Sequence, residues 1–314
     1  MSKETLYLSY SEYLRNNYGE KVYKLPVKLN LTCPNRDNNI SVGGCIFCNE
    51  KGGSFENLDI SLTVKEQILK NKEYIGNKYN AKKFIVYFQN FSNTYMDFEK
   101  FKKIINECNM EDIVAIDIST RPDCIYDIQL EYLENFSNET NIDIIFELGL
   151  QTANYHTLKI LNRGHGISEF VLACKKIKER NFKICTHVII GLPWDNELDI
   201  IETAKLISVL DNDEVKIHSL YIPKNTKLEK MYENKEIELI TLDKYVEYVV
   251  LFLRYLKKDI AIQRLVGRMP KEDSVFCNWG TSWWKIRDKI ENTLEENNFR
   301  QGDLCNHLDG ISII

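Results

Sequence analysis

Three of the nine cysteines stand close together, at a spacing that is typical of a metal site. Cys33 precedes a Cys-x-x-Cys pair, Cys45 and Cys48, whose two thiolates can bind one metal centre. A proline and two adjacent glycines between Cys33 and Cys45 indicate a loop that can fold around a metal. The other six cysteines are isolated, and those in apolar or helical segments are expected to be ordinary buried residues.

The number of ligands distinguishes the candidate metals. A structural zinc site takes four protein ligands, but no fourth cysteine lies nearby and the first histidine is His156. Three thiolates with one position left open suit a [4Fe–4S] cluster in which one iron lacks a protein ligand. A redox-active dithiol would need only two of the three cysteines. The cluster is the favoured interpretation, and zinc is the alternative.

Alternating segments predict the fold that must position this cysteine loop. Six apolar, β-branched runs predict strands at Leu25–Asn30, Phe84–Gln89, Ile113–Ile118, Asp143–Leu150, Lys183–Ile190 and Glu214–Leu220. Segments of helical period lie between them at Val64–Tyr79, Asp97–Cys108, Asp127–Phe136, Ile167–Arg180 and Glu197–Leu210. The alternation predicts an α/β fold with a parallel sheet, and six units predict a partial TIM-like (β/α)6 barrel.

Polar residues collect at the carboxyl ends of the predicted strands, where barrels of this kind carry their chemistry. The cysteine loop follows the first strand, Gln89 ends the second, and Gln151 follows the fourth. Glu147 and His187 interrupt apolar runs, where burial without partners would cost several kcal/mol each. We therefore expect a site lined by polar groups at this end of the barrel.

Short motifs along the chain carry a specific resemblance. They are Cys33-Pro-Asn-Arg-Asp37, Gly43-Gly-Cys-Ile-Phe-Cys48, Tyr87-Phe-Gln89, Asn93-Thr-Tyr95, Ser119-Thr-Arg-Pro-Asp-Cys124, Glu147-Leu-Gly-Leu-Gln-Thr152, Asn162-Arg-Gly-His165, Cys185-Thr-His187 and Gly191-Leu-Pro193. From about Tyr13 to about Gln301 the chain resembles the YhcC/YtqA-type radical SAM proteins, which are small relatives of the radical SAM domain in the Elongator catalytic subunit.

The resemblance implies two cofactors, a [4Fe–4S] cluster on Cys33, Cys45 and Cys48 and S-adenosylmethionine (SAM) on its open iron. In such enzymes an electron from the reduced cluster cleaves SAM, and the resulting 5′-deoxyadenosyl radical abstracts hydrogen from the substrate. An electron donor such as flavodoxin or ferredoxin is then required.

The resemblance also assigns SAM contacts residue by residue. Phe47 and the backbone at Gly191 would approach the adenine, and the Gln89–Asn93 segment would bind the methionine amino group. Gln151 and His187 would hold the ribose hydroxyls, and Arg163 the carboxylate, for which a guanidinium is well shaped. Ser119 is the remaining predicted SAM-binding residue.

Length and composition limit the possible domain organisation and cellular compartment of the protein. The 314 residues, 44% hydrophobic and 28% charged, predict an N-terminal segment (1–24), a partial barrel (25–222) and a C-terminal α/β extension packed on it (223–314). In the extension, Ile260–Leu265 can form a further strand, and Leu242–Leu256 and Trp283–Asn297 helices. No segment approaches the roughly 20 apolar residues of a membrane span, and the polar N-terminus lacks the apolar centre of a signal peptide. We expect a cytoplasmic protein.

The substrate does not follow from composition. The relationship to Elongator points to tRNA, and specifically to side-chain maturation of the wobble uridine. Basic clusters could contact phosphates, although the net charge of −5 also fits solvated helix faces. Two alternatives stay open: a radical SAM enzyme acting on a small molecule or a protein, and a metal-binding protein without catalysis.

Overall fold

The computed structural model describes residues 5–49 and 58–308. Residues 1–4 and 309–314, the outer ends of the two predicted terminal segments, lie outside the described residues, as do residues 50–57. The strands are β1 (Val22–Val27), β2 (Lys83–Phe88), β3 (Ile113–Thr120), β4 (Asp143–Gln151), β5 (Lys183–Ile190), β6 (Glu214–Ser219), β7 (Ile222–Pro223), β8 (Ala261–Arg264) and β9 (Ser274–Phe276). The helices are α1 (Tyr10–Tyr18), α2 (Val64–Tyr79), α3 (Phe98–Asn106), α4 (Asp127–Thr140), α5 (Tyr155–Ile160), α6 (Ile167–Lys178), α7 (Glu197–Val209), α8 (Lys227–Glu233), α9 (Leu242–Tyr255) and α10 (Trp283–Glu296).

Seven strands form one curled sheet in the order β1-β2-β3-β4-β5-β6-β8, and each neighbouring pair is parallel. The first six follow chain order, with at least one helix in each connection. The predicted partial TIM-like barrel is confirmed. The C-terminal extension adds a seventh strand, because β8 pairs with β6 at the edge of the sheet.

The first strand lies earlier than predicted, at Val22–Val27 instead of Leu25–Asn30. Residues 22–27 pair in register with β2. The next two backbone N–H groups leave this ladder, because Lys28 donates to the side chain of Gln67 and Leu29 to that of Asn90. These two bonds direct the chain out of the sheet toward Cys33.

Helix α1 was not predicted, because its sequence is polar and only Leu14 is buried. Ser9 caps its first turn and Gly19, at φ 73°, ends it. Leu14 packs with Ile85 and Cys185 in a small core inside the barrel, separate from the large core beneath the outer helices. The helix therefore closes the end of the barrel away from the cysteine loop.

The C-terminal extension packs on the barrel through the aromatic face of α9. Tyr245 and Phe252 are fully buried, and the Tyr245 hydroxyl donates to the carbonyl of Leu265 at 2.7 Å. Packing of this kind fixes β8, and therefore the residues that β8 contributes to the barrel interior. Within the described ranges, no helix combines the length and the apolar character that crossing a bilayer requires.

Candidate active site

A cavity of about 720 Å³ opens where the strands of the barrel end. Its size is typical of a small-molecule site. Most of the residues predicted for the site line it: Cys33, Cys45, Phe47, Cys48, Gln89, Ser119, Gln151, Arg163 and His187. Residues from distant parts of the sequence therefore share one volume.

The cysteine loop is folded by backbone turns. The amide of Arg36 donates to the carbonyl of Cys33 at 2.7 Å, and that of Cys48 to Cys45 at 3.0 Å. Gly43 and Gly44 adopt φ values of 84° and 74°, a left-handed conformation that glycine tolerates best. These turns direct three thiols to one side of the loop, as the spacing predicts.

The loop is also held by the segment that follows α5. The side chain of Asn35, which is fully buried, donates to the carbonyl of Asn162 at 2.6 Å, and Asn162 donates to that of Gly44 at 2.7 Å. Gly164 packs against this contact at φ 72°, and a Cβ there would lie 2.7 Å from the Asn35 Oδ1 atom. The Asn162-Arg-Gly-His165 motif thus has a structural role in positioning the cysteines.

Two cysteine sulfurs receive hydrogen bonds. Cys45 Sγ accepts from Arg163 Nη1 at 3.2 Å and from Asn35 at 3.4 Å. Cys48 Sγ lies 3.8 Å from Arg36 Nη1. Donors of this kind stabilise thiolates and tune the potential of a bound cluster. Burial raises the pKa of the metal-free Cys48 thiol to about 11, and the nearby Cys45 raises it further although Arg36 opposes.

The thiol set fits a three-ligand cluster better than a four-ligand zinc site. Cys124 is near enough for its charge to interact with that of Cys33, but it does not line the cavity. Its backbone carbonyl instead accepts from Thr94 at 2.6 Å, inside the protein. Three cysteines therefore face the open volume, which leaves one corner of a four-iron cluster for a ligand.

Arg163 lies between the cysteine loop and the fourth strand. Besides Cys45, it donates to the Gly149 carbonyl at 2.7 Å and to His165 Nε2 at 2.9 Å. Burial and the Arg163 charge lower the pKa of His165 to about 2, so this histidine is a neutral acceptor. The Nε atom of Arg163 is buried without a hydrogen-bond partner in the described part of the chain. The guanidinium is not fully satisfied by the protein alone.

Gln151 ends β4 in a left-handed conformation, φ 78°, which is uncommon for a residue other than glycine. The register of β4 against β5 shifts between Gly149 and Gln151, and this irregularity turns Gln151 into the cavity. Backbone outliers of this kind concentrate at functional sites. A Cβ on Gly149 would lie 2.9 Å from Gln151 Nε2 and 3.0 Å from Arg163 Nη2, so a larger residue there would displace the ends of these two side chains.

Two predicted site residues do not line the cavity. Asn93 is buried, and its amide donates to the carbonyls of Phe88, Asn90 and Ser119, which ties the loop after β2 to β3. A Cβ on Gly191 would lie 3.0 Å from Ile240, which precedes α9, and 3.9 Å from Tyr245 of α9. The structure places Asn93 in loop packing and Gly191 in helix packing.

Glu147 is the centre of a buried network of charged and polar groups that line the cavity. Its carboxylate accepts from Lys216 Nζ at 2.5 and 2.7 Å and from Lys24 Nζ at 2.7 Å. Tyr87 and Ser119 also donate to it, at 2.8 and 3.2 Å. Burial opposes the charged carboxylate, but Lys216 and Lys24 outweigh it and hold the pKa of Glu147 well below its usual range.

His187 uses both ring nitrogens within the protein. Nε2 lies 2.7 Å from Glu147 Oε2, and Nδ1 lies 3.3 Å from His218 Nε2. Burial lowers the pKa of His187 to about 4 although Glu147 opposes this, so the ring is neutral at pH 7. A ribose hydroxyl bound by His187 would have to displace one of these partners.

Sequence analysis missed the two lysines and Arg264, which also lines the cavity. Lys24 and Lys216 each interrupt an apolar strand, which is the same signal that singled out Glu147. Glu147, Cys185 and His187 have ligand atoms within 4.8 Å of one another, as a metal site would. A cation there would meet the two ammonium groups already bound to Glu147, so this cluster is unsuited to a metal.

Glu214, beneath the cavity, gives a pH-dependent prediction. Burial raises its pKa to about 7, although Lys24 and Gln263 oppose the shift. Because the folded protein binds this proton more tightly than the unfolded chain does, protonation of Glu214 stabilises the fold. This stabilisation is fully present below the unfolded pKa of about 4 and is lost as the pH rises through about 7. We expect Glu214→Gln to gain roughly 1–3 kcal/mol relative to the wild type between pH 5 and pH 8, measured by urea unfolding. The exposed Glu233→Gln should show no such gain, and parallel curves for Glu214→Gln and the wild type would contradict the prediction.

Comparisons with known proteins agree with this geometry. The sequence profile of the Radical SAM superfamily matches residues 33–207, and that of the Radical_SAM C-terminal domain matches residues 212–296. The protein MJ0486 of Methanocaldococcus jannaschii is 37% identical over 309 residues, covering 96% of this chain and 93% of that protein. YtqA of Bacillus subtilis is 32% identical over 312 residues, covering 98% of this chain and 95% of YtqA.

A solved structure shows the same fold. The archaeal Elp3 of Methanocaldococcus infernus, with an N-terminal deletion, superposes with a TM-score of 0.67 at 17% identity. The match covers 89% of this chain and 64% of that one. With a superfamily profile over more than half of its length and YtqA as a close relative, the chain belongs to the radical SAM superfamily and is a radical S-adenosylmethionine enzyme.

Proposed function

We propose that Cys33, Cys45 and Cys48 hold a [4Fe–4S] cluster at the carboxyl end of the barrel, and that the enzyme modifies a uridine of tRNA. The observation that carries the first part is the convergence of three thiols on one cavity, with no fourth cysteine lining it. A reduced cluster with SAM bound supplies the one-electron chemistry that removes a hydrogen atom from a substrate.

The cavity wall offers the contacts that SAM needs. Arg163 carries an unsatisfied buried Nε and lies 3.2 Å from Cys45, which suits a carboxylate bound beside the cluster. Phe47 lines the cavity and packs against a separate apolar cluster that contains Leu192 and Leu220. It therefore presents a fixed apolar surface for the adenine. Gln89, Ser119 and Gln151 supply hydrogen-bonding groups on the same wall.

We assign Asn93 and Gly191 supporting roles in this site, since neither lines the cavity. Asn93 holds the loop that begins at Gln89, and Gly191 leaves room for the side chain of Ile240 next to the end of β5. His187 is placed for the ribose only if it releases His218. Orientation of the wall through Glu147 is the role of His187 that its present contacts support.

All nine cysteines are free thiols, which suits a reducing compartment, and we propose that the enzyme works in the cytoplasm. The electron donor in this proposal is a small redox protein such as flavodoxin or ferredoxin. An external donor is needed because the proposed cluster uses three cysteines and the other six do not form a second cysteine cluster that could deliver electrons.

Named relatives support the RNA substrate. A protein named tRNA uridine(34) acetyltransferase in Methanocaldococcus infernus is 24% identical over 169 residues, covering 53% of this chain and 31% of that protein. Enzymes that recognise RNA by sequence act mostly on unstacked bases in loops, and such a base can enter an open cavity. A small-molecule or protein substrate is the second candidate.

Comparison of tRNA nucleosides tests the substrate. In the source organism we expect deletion of the gene to replace one modified uridine by its precursor, because the hydrogen abstraction step is lost. Liquid chromatography with mass spectrometry of digested tRNA measures this. Complementation with the wild type should restore the nucleoside, and complementation with Cys45→Ala should not. Identical nucleoside profiles with and without the gene would exclude tRNA in favour of the second candidate.

A further inference from the structure

Among the described residues that line the cavity, cationic side chains outnumber carboxylates. The cationic side chains are Lys24, Arg36, Arg121, Arg163, Lys216, Arg264 and Arg268, and the carboxylate among these described residues is Glu147. Several of these cations already have a carboxylate or a cysteine sulfur as a partner within the protein. Lys24 and Lys216 pair with Glu147, and Arg121 pairs with Asp123 at 2.7 Å. Two others, Arg36 and Arg163, contact cysteine sulfurs.

Arg264 has no such compensation. It ends β8, and its Nη2 lies 2.7 and 2.9 Å from the two ring nitrogens of His218. Its Nε is buried and has no hydrogen-bond partner among the described residues. Across residues 5–49 and 58–308, no carboxylate comes within ion-pair distance of it.

The surroundings of Arg264 reinforce its positive charge. Burial together with the Arg264 charge holds the pKa of His218 well below its usual range, so His218 is a neutral acceptor and does not neutralise the guanidinium. Burial lowers the pKa of Lys216, and the charges of Lys24 and Arg264 lower it further although Glu147 opposes them. A partly buried cation without a counter-charge is unfavourable in the free protein, and an anionic ligand would reverse that cost.

The geometry selects the ligand chemistry. A guanidinium held by one nitrogen leaves its remaining N–H groups for a planar or tetrahedral oxyanion, the groups that arginine binds best. We propose that Arg264, oriented by His218, binds an oxyanion of the substrate, either a carboxylate or a phosphate. This rests on the proposed function in one respect, namely that the oxyanion belongs to the molecule that the enzyme modifies.

Thermal unfolding of the cluster-loaded protein tests this site without turnover. The probes are sodium phosphate and sodium acetate, each compared with sodium chloride at equal ionic strength and pH 7. We expect the Tm of the wild type to rise by about 2 °C or more in at least one oxyanion, because a ligand that binds only the folded state stabilises it. A larger rise in acetate assigns a carboxylate, and a larger rise in phosphate assigns a phosphate.

Variants decide whether Arg264 is responsible. Arg264→Gln should lose the oxyanion-dependent rise, while its Tm in chloride stays equal to or above that of the wild type, because an uncompensated charge has been removed. Arg264→Lys, which keeps the charge but loses the planar fork, should retain part of the rise. Arg287→Gln on α10, outside the cavity, should retain all of it.

Three results would overturn the site: no rise in either oxyanion, an equal rise in the wild type and Arg264→Gln, or a lower Tm of Arg264→Gln in chloride. The last result would show that Arg264 is structural. The unfolding measurement needs neither SAM cleavage nor RNA. An unchanged nucleoside profile would therefore count against tRNA alone, and a failed unfolding test against the oxyanion site alone.

Discussion

Cys45→Ala is expected to reduce 5′-deoxyadenosine formation by more than about 100-fold. Cys45 is the most buried of the three clustered cysteines, and its sulfur receives hydrogen bonds from Asn35 and Arg163. A cluster with two protein anchors would lose both its orientation and the donors that tune it. The measurement is deoxyadenosine released from SAM with dithionite, after anaerobic reconstitution, alongside iron and sulfide per chain.

The matched control is Cys174→Ala. Cys174 is also buried but lies in α6, where its sulfur is 3.8 Å from the Asn212 side-chain nitrogen, and it does not line the cavity. This variant should keep its iron and most of its deoxyadenosine formation, with a modest loss of stability from the small void. Full activity in Cys45→Ala, or an equal loss in Cys174→Ala, would refute the assignment of the cluster ligands.

The sequence predicts the parts of this enzyme that local patterns encode. Buried parallel strands appear in a sequence as short apolar runs, and helices appear as segments with a period of 3.6 residues. Six strands and their order can therefore be predicted from the sequence alone. The cysteine loop is equally local, because its three cysteines and its turn residues lie together in the sequence. The position of the cavity then follows from the rule that such barrels carry chemistry at the carboxyl ends of their strands.

What the sequence does not predict depends on contacts between distant residues. Lys24 and Glu147 are separated by 123 positions, and Lys216 and Glu147 by 69. A lysine in an apolar strand signals a buried charge but does not name its partner. Asn93 illustrates the reverse case, because its motif resembles a ligand contact while its amide nitrogen donates to three backbone carbonyls.

The charged network also bears on how the barrel is closed. Lys24 Nζ bonds to Glu147 on β4, to Asp117 on β3 at 2.5 Å and to Gln263 on β8 at 3.0 Å. One side chain of β1 therefore links strands from the middle and the far edge of the sheet across the interior. The two edge strands of the sheet, β1 and β8, do not pair with each other. These side-chain contacts join them in place of backbone hydrogen bonds.

Glu147→Gln is accordingly expected to lower the free energy of unfolding by about 3–5 kcal/mol. The amide keeps the shape of the carboxylate, but it removes the carboxylate that pairs with the buried Lys216 and leaves Lys24 with Asp117 alone. Urea unfolding under anaerobic conditions measures the change. The exposed pair Lys205–Glu202 gives the control, since Glu202→Gln should cost no more than about 0.5 kcal/mol.

A double-mutant cycle with Lys216→Met separates the charge effect from general disruption. If the cost arises from uncompensated charge, removing Lys216 in the Glu147→Gln background takes away one unpaired ammonium. The double variant should then be destabilised by less than the sum of the two single variants, with a coupling of about 1–3 kcal/mol. Strict additivity would show that the two side chains contribute independently. In that case the cost of Glu147→Gln would arise from its other partners, Lys24, Tyr87 and Ser119.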